Sequence, residues 1–163
     1  MMDNTIIDNI NANVGEEDTL WHLGDFCFAP RNRYYAVVRD YRSRINCRNI
    51  YQVWGNHDNE SVAGVFKENH WKVMIKERGQ SIVLCHEAFA IWTDSHKGAW
   101  NLYGHSHSGA ENWLDEILPG RKSMDVGVDN AYKLLGEFRP FSFDDIHQIM
   151  SRRPGHNKIK KDG

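Results

Sequence analysis

The chain lacks the features that define several protein classes. Its three cysteines, Cys27, Cys47 and Cys85, form no CxxC pair, and their odd number argues against a disulfide framework. No apolar run approaches the roughly 18 residues of a membrane-spanning helix. The first residues, MMDNTIIDNI, have neither the basic start nor the apolar stretch of a signal peptide. We therefore expect a cytoplasmic protein with reduced thiols and no membrane partner.

An excess of charge of one sign is also lacking, because the formal net charge is -2. Such a chain has no general field to attract nucleic acid, so any phosphate binding must be local. Nucleic acid stays open as a partner but is not indicated. The 163 residues are 40% apolar and 12% aromatic, which excludes a disordered protein. Nine histidines are present, and histidine is the commonest metal ligand and proton carrier near neutral pH.

Apolar periodicity predicts a layered α/β fold, a β-sandwich flanked by helices. Helical spacing predicts helices over 3–14, 33–45 and 61–71, and a last helix from the N-cap Ser142 to about Met150. Strands are predicted within 19–25, 49–58, 100–107 and 122–130, and a hairpin within 72–87 turns at Arg78-Gly79-Gln80. Hairpin-like strands are expected to dominate the second half. We expect a single domain over 1–152 and a basic tail over 153–163.

Four predicted strand ends share one pattern, in which an apolar strand leads into a loop with a polar, ligand-type side chain. They are Gly24-Asp25, Gly55-Asn56-His57-Asp58, Cys85-His86 and Gly104-His105-Ser106-His107. Glycines beside the polar residues let the backbone turn sharply and approach a small ligand closely. Each element alone is more often a turn or a buried histidine. Their order and residue types together indicate a site, because loops at strand ends are where α/β folds usually carry their chemistry.

In this order the four motifs resemble those of the calcineurin-like metallophosphoesterase family: GD, GNH[DE], a strand-end histidine and GHxH. The resemblance runs from about residue 3 to about residue 150. The segments LYGHSH, SMDVGVD and RPFSFDDI look like a short bacterial or phage-type branch of that family. The resemblance implies a metal-dependent enzyme that hydrolyses a phosphomonoester or phosphodiester with a metal-activated water.

The resemblance also implies two divalent metal ions, with Mn²⁺ as the first expectation and Fe, Zn, Ni or Mg as alternatives. Asp25 would bridge the two ions, and Asn56, His86 and His105 would complete the second site. His107 would serve the first site. In an extended segment the side chains at i and i+2 point to the same side, so His105 and His107 could each face one of two adjacent ions.

Two further side chains are implied in catalysis rather than in metal binding. His57 would be an imidazole near the substrate that stabilises the phosphoryl charge or protonates the leaving oxygen. Asp58 would fix the orientation and tautomer of His57. His22, on the strand that leads to Asp25, is expected to pack or to donate a hydrogen bond behind the ligands.

The family's first motif, an Asp-x-His at the end of a first strand, has no counterpart in this sequence. Asp3 is no substitute, because it begins a predicted helix and no histidine follows two residues later. We therefore expect the first strand to be missing and the first metal site to be incomplete. A missed upstream start and a natural shortening are both open explanations. The sheet edge left exposed could pair with another chain and produce an oligomer.

Two readings from different classes follow. The first is a hydrolase that acts on a small phosphoester or a nucleotide. The alternative is a truncated relative, weakly active or inactive, that serves as a metal-binding or partner-binding module. A structural zinc site is disfavoured, because such sites prefer Cys₄ or Cys₂His₂ ligands, whereas aspartate, asparagine and histidine suit hydrolytic ions.

Overall fold

A computed structural model describes residues 2–155 of the chain, so most of the predicted basic tail, residues 156–163, lies outside the described residues. The helices are α1 (Met2–Asn13), α2 (Tyr34–Ser43), α3 (Glu111–Ile117), α4 (Val128–Leu135) and α5 (Phe143–Ser151). The strands are β1 (Thr19–His22), β2 (Asn49–Val53), β3 (Asn69–His70), β4 (Lys72–Glu77), β5 (Gln80–Cys85), β6 (Trp100–Tyr103) and β7 (Ser123–Asp125). Among these described residues, no helix combines the length and apolar composition needed to cross a membrane.

The strands form two sheets, one parallel and one mixed. The first has the order β1-β2-β3 with all neighbours parallel, and Leu20 of β1 lies opposite Ile50 of β2. The second has the order β4-β5-β6-β7, in which β4 and β5 are antiparallel and the other pairs are parallel. The prediction of an α/β fold with layered sheets and flanking helices is confirmed at this level.

Two large apolar cores hold the sheets and helices together. The first packs Ile7 and Ile10 of α1 and Val38 of α2 against Ile50 of β2. The second is built from residues of both sheets and from α5: Leu23, Val53, Ile82, Leu84, Trp100, Leu102, Met124, Ile146 and Met150. Because residues of both sheets share this second core, the sheets pack as layers of one unit.

The thiols behave as the sequence indicates. Cys27, Cys47 and Cys85 are all buried and free. Burial raises the pKa of the Cys27 and Cys85 thiols to about 11, so both stay protonated at neutral pH. Both thiols are therefore poor nucleophiles at that pH.

The helices with the clearest local signals lie where they are predicted. α1 and α2 begin and end within two residues of the predicted bounds. Ser142 is the N-cap of α5, where its side chain accepts a hydrogen bond from the Asp145 amide while Asp145 accepts one from the Ser142 amide. This capping box, a Ser whose side chain faces an acid three residues later, fixes the start of the helix.

Two predictions on the elements are wrong. The predicted helix over 61–71 is a short 3-10 helix, Glu60–Val65, followed by the extended residues of β3. Gly64 and two β-branched valines weaken an α-helix there, and His70 instead pairs with Val53. The predicted strand over 122–130 ends at Asp125, because α4 begins after its N-cap Gly127.

The second half also contains one hairpin rather than several. β5, β6 and β7 run parallel, since a 3-10 turn and α3 lie between them and return the chain to the same end of the sheet.

Residues of β1, and Asp125 at the end of β7, line a cavity of about 250 Å³, which we call the slot. β1 pairs only with β2, and β7 pairs only with β6, within residues 2–155. Apolar side chains from α1, β1 and the segment after β7 line the slot, among them Ile6, Ile10, Leu20, Leu23 and Val126. Two strands that each have one edge unpaired within residues 2–155 therefore both contribute residues to the slot.

Candidate metal centre

Four of the five predicted ligands converge at the ends of strands from both sheets. His86 directly follows β5, and its Nε2 atom lies 3.1 Å from Asn56 Oδ1 and 3.1 Å from His105 Nδ1. The same atom lies 3.3 Å from Asp25 Oδ2. Ligand atoms of Asp25, His86 and His105 all fall within 4.8 Å of one another. Asp25, Asn56, His86 and His105 are called the ligand cluster.

The tautomer of His86 is set by the backbone behind it. His86 is 5% exposed, and its Nδ1 lies 2.7 Å from the carbonyl oxygen of Leu23, to which it donates a hydrogen bond. With Nδ1 donating to Leu23, the Nε2 atom faces Asn56 Oδ1 and Asp25 Oδ2, which present lone pairs. These atoms can lie this close when a proton or a cation lies between them. A divalent cation fits this donor set, since imidazole, carboxylate and amide oxygen are all common ligands.

Two glycines give the ligand cluster its compactness. A Cβ atom on Gly24 would collide with the His86 ring and with the backbone of Gly55, and a Cβ atom on Gly55 would collide with the Asp25 carboxylate. Gly24 also has φ of 97°, in the left-handed region that favours glycine. Both positions therefore require glycine, because any side chain there would collide with the ligand cluster or with the backbone beside it.

Asp58 connects the two loops that carry Asp25 and Asn56. One carboxylate oxygen accepts hydrogen bonds from the Asp25 and Gly55 amides, both at 2.8 Å. The other accepts from the Phe26 amide at 3.0 Å and from the Tyr34 hydroxyl at 2.7 Å. Burial raises the pKa of Asp58, but hydrogen bonds from Gly55, Tyr34 and Phe26 outweigh it and hold the pKa below its usual value.

Asp58 therefore does not orient the His57 ring as predicted. Both of its oxygens are already engaged, and within residues 2–155 no hydrogen bond joins it to His57. Its carboxylate instead fixes the relative position of two backbone loops.

His57 lies beside the ligand cluster and outside it. Its backbone amide donates to Asp25 Oδ1 at 2.9 Å, while its side chain is exposed. The ring contacts Phe28 edge to face, with 5.0 Å between ring centroids. Phe28 is itself 68% exposed. The His57 imidazole is thus exposed at the surface beside the ligand cluster.

His105 and His107 both lie in residues 104–108, which we call the histidine loop, but their side chains have different partners. His105, His107 and Ser108 have φ of 64°, 48° and 61°, a left-handed backbone that costs non-glycine residues about 1 kcal/mol or more each. The segment is therefore not extended, and the argument from i and i+2 positions is wrong. His105 faces His86, whereas His107 Nδ1 lies 2.7 Å from Asp129 Oδ2.

Asp125 and Asp129 support the histidine loop, and sequence reasoning missed them both. Asp125 ends β7 and Asp129 lies in the first turn of α4, within the SMDVGVD segment, for which the sequence predicts a strand. Burial raises the pKa of Asp125 despite hydrogen bonds from Ser108, Gly127 and Ser106. The sequence does offer one indication of their role, because both carboxylates lie in a segment that contributes to the family resemblance.

The slot reaches the ligand cluster at one end. Asp25, His105 and His107 line it together with the apolar residues described above. His22 lines it as well, and its Nδ1 atom is buried without a hydrogen-bond partner among the described residues. Burial lowers the pKa of His22, so this imidazole is neutral. His22 packs against Phe26 with 4.9 Å between ring centroids, as expected of a packing residue.

No protein-family model matches the sequence. An uncharacterized protein of Methanocaldococcus jannaschii, MJ1445, is 29% identical over 154 residues, which are 93% of this chain and 76% of that protein. The crystal structure of AQ665, a protein of unknown function from Aquifex aeolicus, has a TM-score of 0.65 at 21% identity and covers 90% of this chain and 84% of that one. This structural likeness supports the α/β fold, and neither description names an activity.

Proposed function

We propose that the protein is a metal-dependent phosphoesterase with a metallophosphoesterase-like fold, acting on a phosphomonoester or phosphodiester. The observation that carries the proposal is the convergence of Asp25, Asn56, His86 and His105 from four separate strand ends. The order of the four motifs in the sequence supports it independently. Both observations concern the same side chains, and both favour a hydrolytic ion.

The ligand cluster supports a divalent ion held by two imidazoles, one carboxylate and one amide oxygen. An ion bound there would polarise the phosphoryl oxygens and acidify a water molecule. Asn56 provides a neutral ligand, so the site would carry less negative charge towards an anionic substrate. His86 would keep its orientation through the Leu23 carbonyl, which also leaves Nε2 as the ligand atom.

His57 is proposed as the residue that meets the phosphoryl group or the leaving oxygen. Its amide is fixed to Asp25, which sets the distance between its backbone and the ligand cluster. Its ring is exposed beside Phe28, so it can donate a proton or a hydrogen bond to a bound phosphoester.

The first metal site is proposed to be incomplete in this chain. Only Asp25 and His107 of the predicted ligands could serve it, and His107 is hydrogen-bonded to Asp129. A polypeptide strand that carries Asp-x-His and enters the slot could pair with β1 and β7 and bring its carboxylate and imidazole to the end where Asp25 and His107 lie.

The unfilled slot favours a second candidate function, a metal-binding or partner-binding module with weak or no turnover. Unpaired strand edges beside apolar side chains are a surface on which another polypeptide can add a strand. In this reading the ligand cluster holds an ion without efficient hydrolysis.

Turnover of bis(p-nitrophenyl) phosphate and of p-nitrophenyl phosphate, measured with and without Mn²⁺, tests the proposal. We expect Mn²⁺-dependent hydrolysis of at least one of them, lost in His86→Ala and His105→Ala. His147→Ala is the matched control, because His147 is exposed on α5 and outside the ligand cluster. Tight Mn²⁺ binding with no hydrolysis of either ester would favour the binding module.

A further inference from the structure

The histidine loop has a backbone that its own sequence does not favour. Three of its residues, His105, His107 and Ser108, are non-glycine residues with positive φ. Such a conformation persists only where the surroundings hold it in place. The position of the His105 ring, and so the shape of the ligand cluster, depends on whatever holds this loop.

Asp125 holds it from the neighbouring strand. One oxygen of the Asp125 carboxylate accepts hydrogen bonds from Ser106 Oγ at 2.8 Å and from the Ser108 amide at 3.0 Å. Ser106 directly follows His105, and Ser108 directly follows His107. The loop is thereby fixed at two points to the end of β7.

The same side chain also fixes the start of α4. Its other oxygen accepts from the Gly127 amide at 2.7 Å, and its backbone carbonyl accepts from Asn130 Nδ2 at 2.7 Å. α4 carries Asp129, which accepts the hydrogen bond from His107. One carboxylate therefore connects the histidine loop to the helix that orients the second histidine.

Hydrogen bonds stabilise the buried Asp125 carboxylate. Asp125 is 0% exposed, and it forms no ion pair with any residue between 2 and 155. A buried carboxylate without a cationic partner is costly, and the three hydrogen bonds that it accepts, two of them from the histidine loop, offset this cost.

We propose that Asp125 is a positioning residue of the metal site, whose buried carboxylate holds the histidine loop and so sets the place of the His105 imidazole. The inference rests on the proposed function, because it assumes that His105 is a metal ligand. It assigns Asp125 to no direct contact with the ion or the substrate.

Asp125→Asn tests the proposal with little change of shape. A carboxamide keeps one acceptor and turns the other oxygen into a donor, which faces either the Gly127 amide or the donors of the loop. We expect Mn²⁺ affinity, measured by titration calorimetry, to fall by about 10- to 100-fold. The thermal midpoint of the metal-free protein, measured in parallel, reports the structural cost.

Asp145→Asn is the matched control. Asp145 also accepts several hydrogen bonds, from Ser142 and Arg139, but it lies on α5 away from the ligand cluster. We expect it to lower the metal-free midpoint while Mn²⁺ affinity stays within about twofold. Equal loss of affinity in both variants at equal loss of midpoint would overturn the positioning role.

His105→Ala separates the inference from the proposed function. If His105→Ala weakens Mn²⁺ binding and Asp125→Asn does not, the positioning role is wrong and the metal site stands. If His105→Ala leaves Mn²⁺ binding unchanged, the metal site is wrong and the inference falls with it.

Should Asp125→Asn fail to fold, Ser106→Ala removes only one of the loop's hydrogen bonds to Asp125. We then expect a smaller loss of Mn²⁺ affinity, about 3- to 10-fold, in a protein with a nearly unchanged midpoint. Unchanged affinity in Ser106→Ala would overturn the proposal.

Discussion

His57 and Asn56 are adjacent in the sequence, yet the chain gives them different surroundings. Asn56 Oδ1 faces His86, whereas the His57 ring lies against Phe28 at the surface. Only the backbone amide of His57 reaches Asp25. The two residues can therefore be separated by mutation, one as a ligand and the other as a group that meets the substrate.

His57→Ala should lower turnover and leave metal binding intact. A lost proton donor or charge-stabilising group reduces the rate by roughly 10² to 10³. Steady-state hydrolysis of the more reactive p-nitrophenyl ester, with Mn²⁺ content measured on the same sample, checks both parts. Loss of bound Mn²⁺ would instead make His57 a ligand.

Gly55→Ala should weaken Mn²⁺ binding through a steric clash alone. The new Cβ would collide with the Asp25 carboxylate and amide, so Asp25 would have to move out of the ligand cluster. Gly64→Ala is the control, because a Cβ atom there meets nothing within 4 Å. Titration of both variants with Mn²⁺ should show the loss only in the first, and equal affinities would mean that the loop relaxes freely around residue 55.

At the scale of elements, α5 offers a test of electrostatics away from the site. The Arg139 guanidinium, followed by hydrogen bonds from Ser142, lowers the pKa of Asp145 from its usual 3.8 to about 2. A carboxyl whose pKa is lower in the folded than in the unfolded state stabilises the folded protein at pH values above its unfolded-state pKa. That contribution is lost as pH falls from about 4 to about 2.

Asp145→Asn should therefore flatten the dependence of stability on pH in that interval. Urea unfolding at several pH values between 2 and 5 would show the wild type losing more of its unfolding free energy than the variant. Because the Asp145 side chain is still 20% exposed, the difference should shrink in part in high salt. Parallel curves for the two proteins would contradict the assignment.

The elements that sequence patterns predicted well are those in which local signals agree with the packing. α1 carries Ile7 and Ile10 at helical spacing, and both are buried. α5 has a capping box at its start. The segment 61–71 failed because its last residues pair with β2, and a strand partner distant in sequence overrides local helical spacing.

The site was predictable in its residue types and less so in its geometry. Aspartate, asparagine and histidine after strand ends predicted that Asp25, Asn56, His86 and His105 lie close together, and in the structure they do. The division between His105 and His107 was not predictable, since it depends on three positive φ angles in a loop that is hydrogen-bonded to the carboxylate of Asp125, the last residue of β7. The role of Asp58 was missed for the same reason, because its partners are backbone amides that sequence does not mark.

At the scale of the whole molecule, the slot bears on metal stoichiometry. The 163-residue chain should bind one Mn²⁺ tightly and a second weakly, because two protein ligands leave most positions of the first site to water. A chain lengthened at its N-terminus by a strand ending in Asp-x-His should bind two ions and turn over faster. Metal analysis after dialysis compares the two forms, and two tightly held ions in the shorter chain would contradict the expectation.

The ligand cluster takes two side chains from each sheet. Asp25 and Asn56 follow strands of the first sheet, and His86 and His105 follow strands of the second. An ion held by all four would add a link between two sheets that already share side-chain packing, loops and the hydrogen bond from His86 to the Leu23 carbonyl. Local opening of one sheet would then require release of the ion.

Amide hydrogen exchange would then report metal binding far from the site. At a free Mn²⁺ concentration about 100 times Kd, the slowest amides of β2 and β6 should exchange about 100-fold more slowly in both sheets together. Protection confined to one sheet would mean that the ion is held from one side only. Protection in both sheets would mean that one bound cation links them, so that neither sheet opens locally while the ion stays bound.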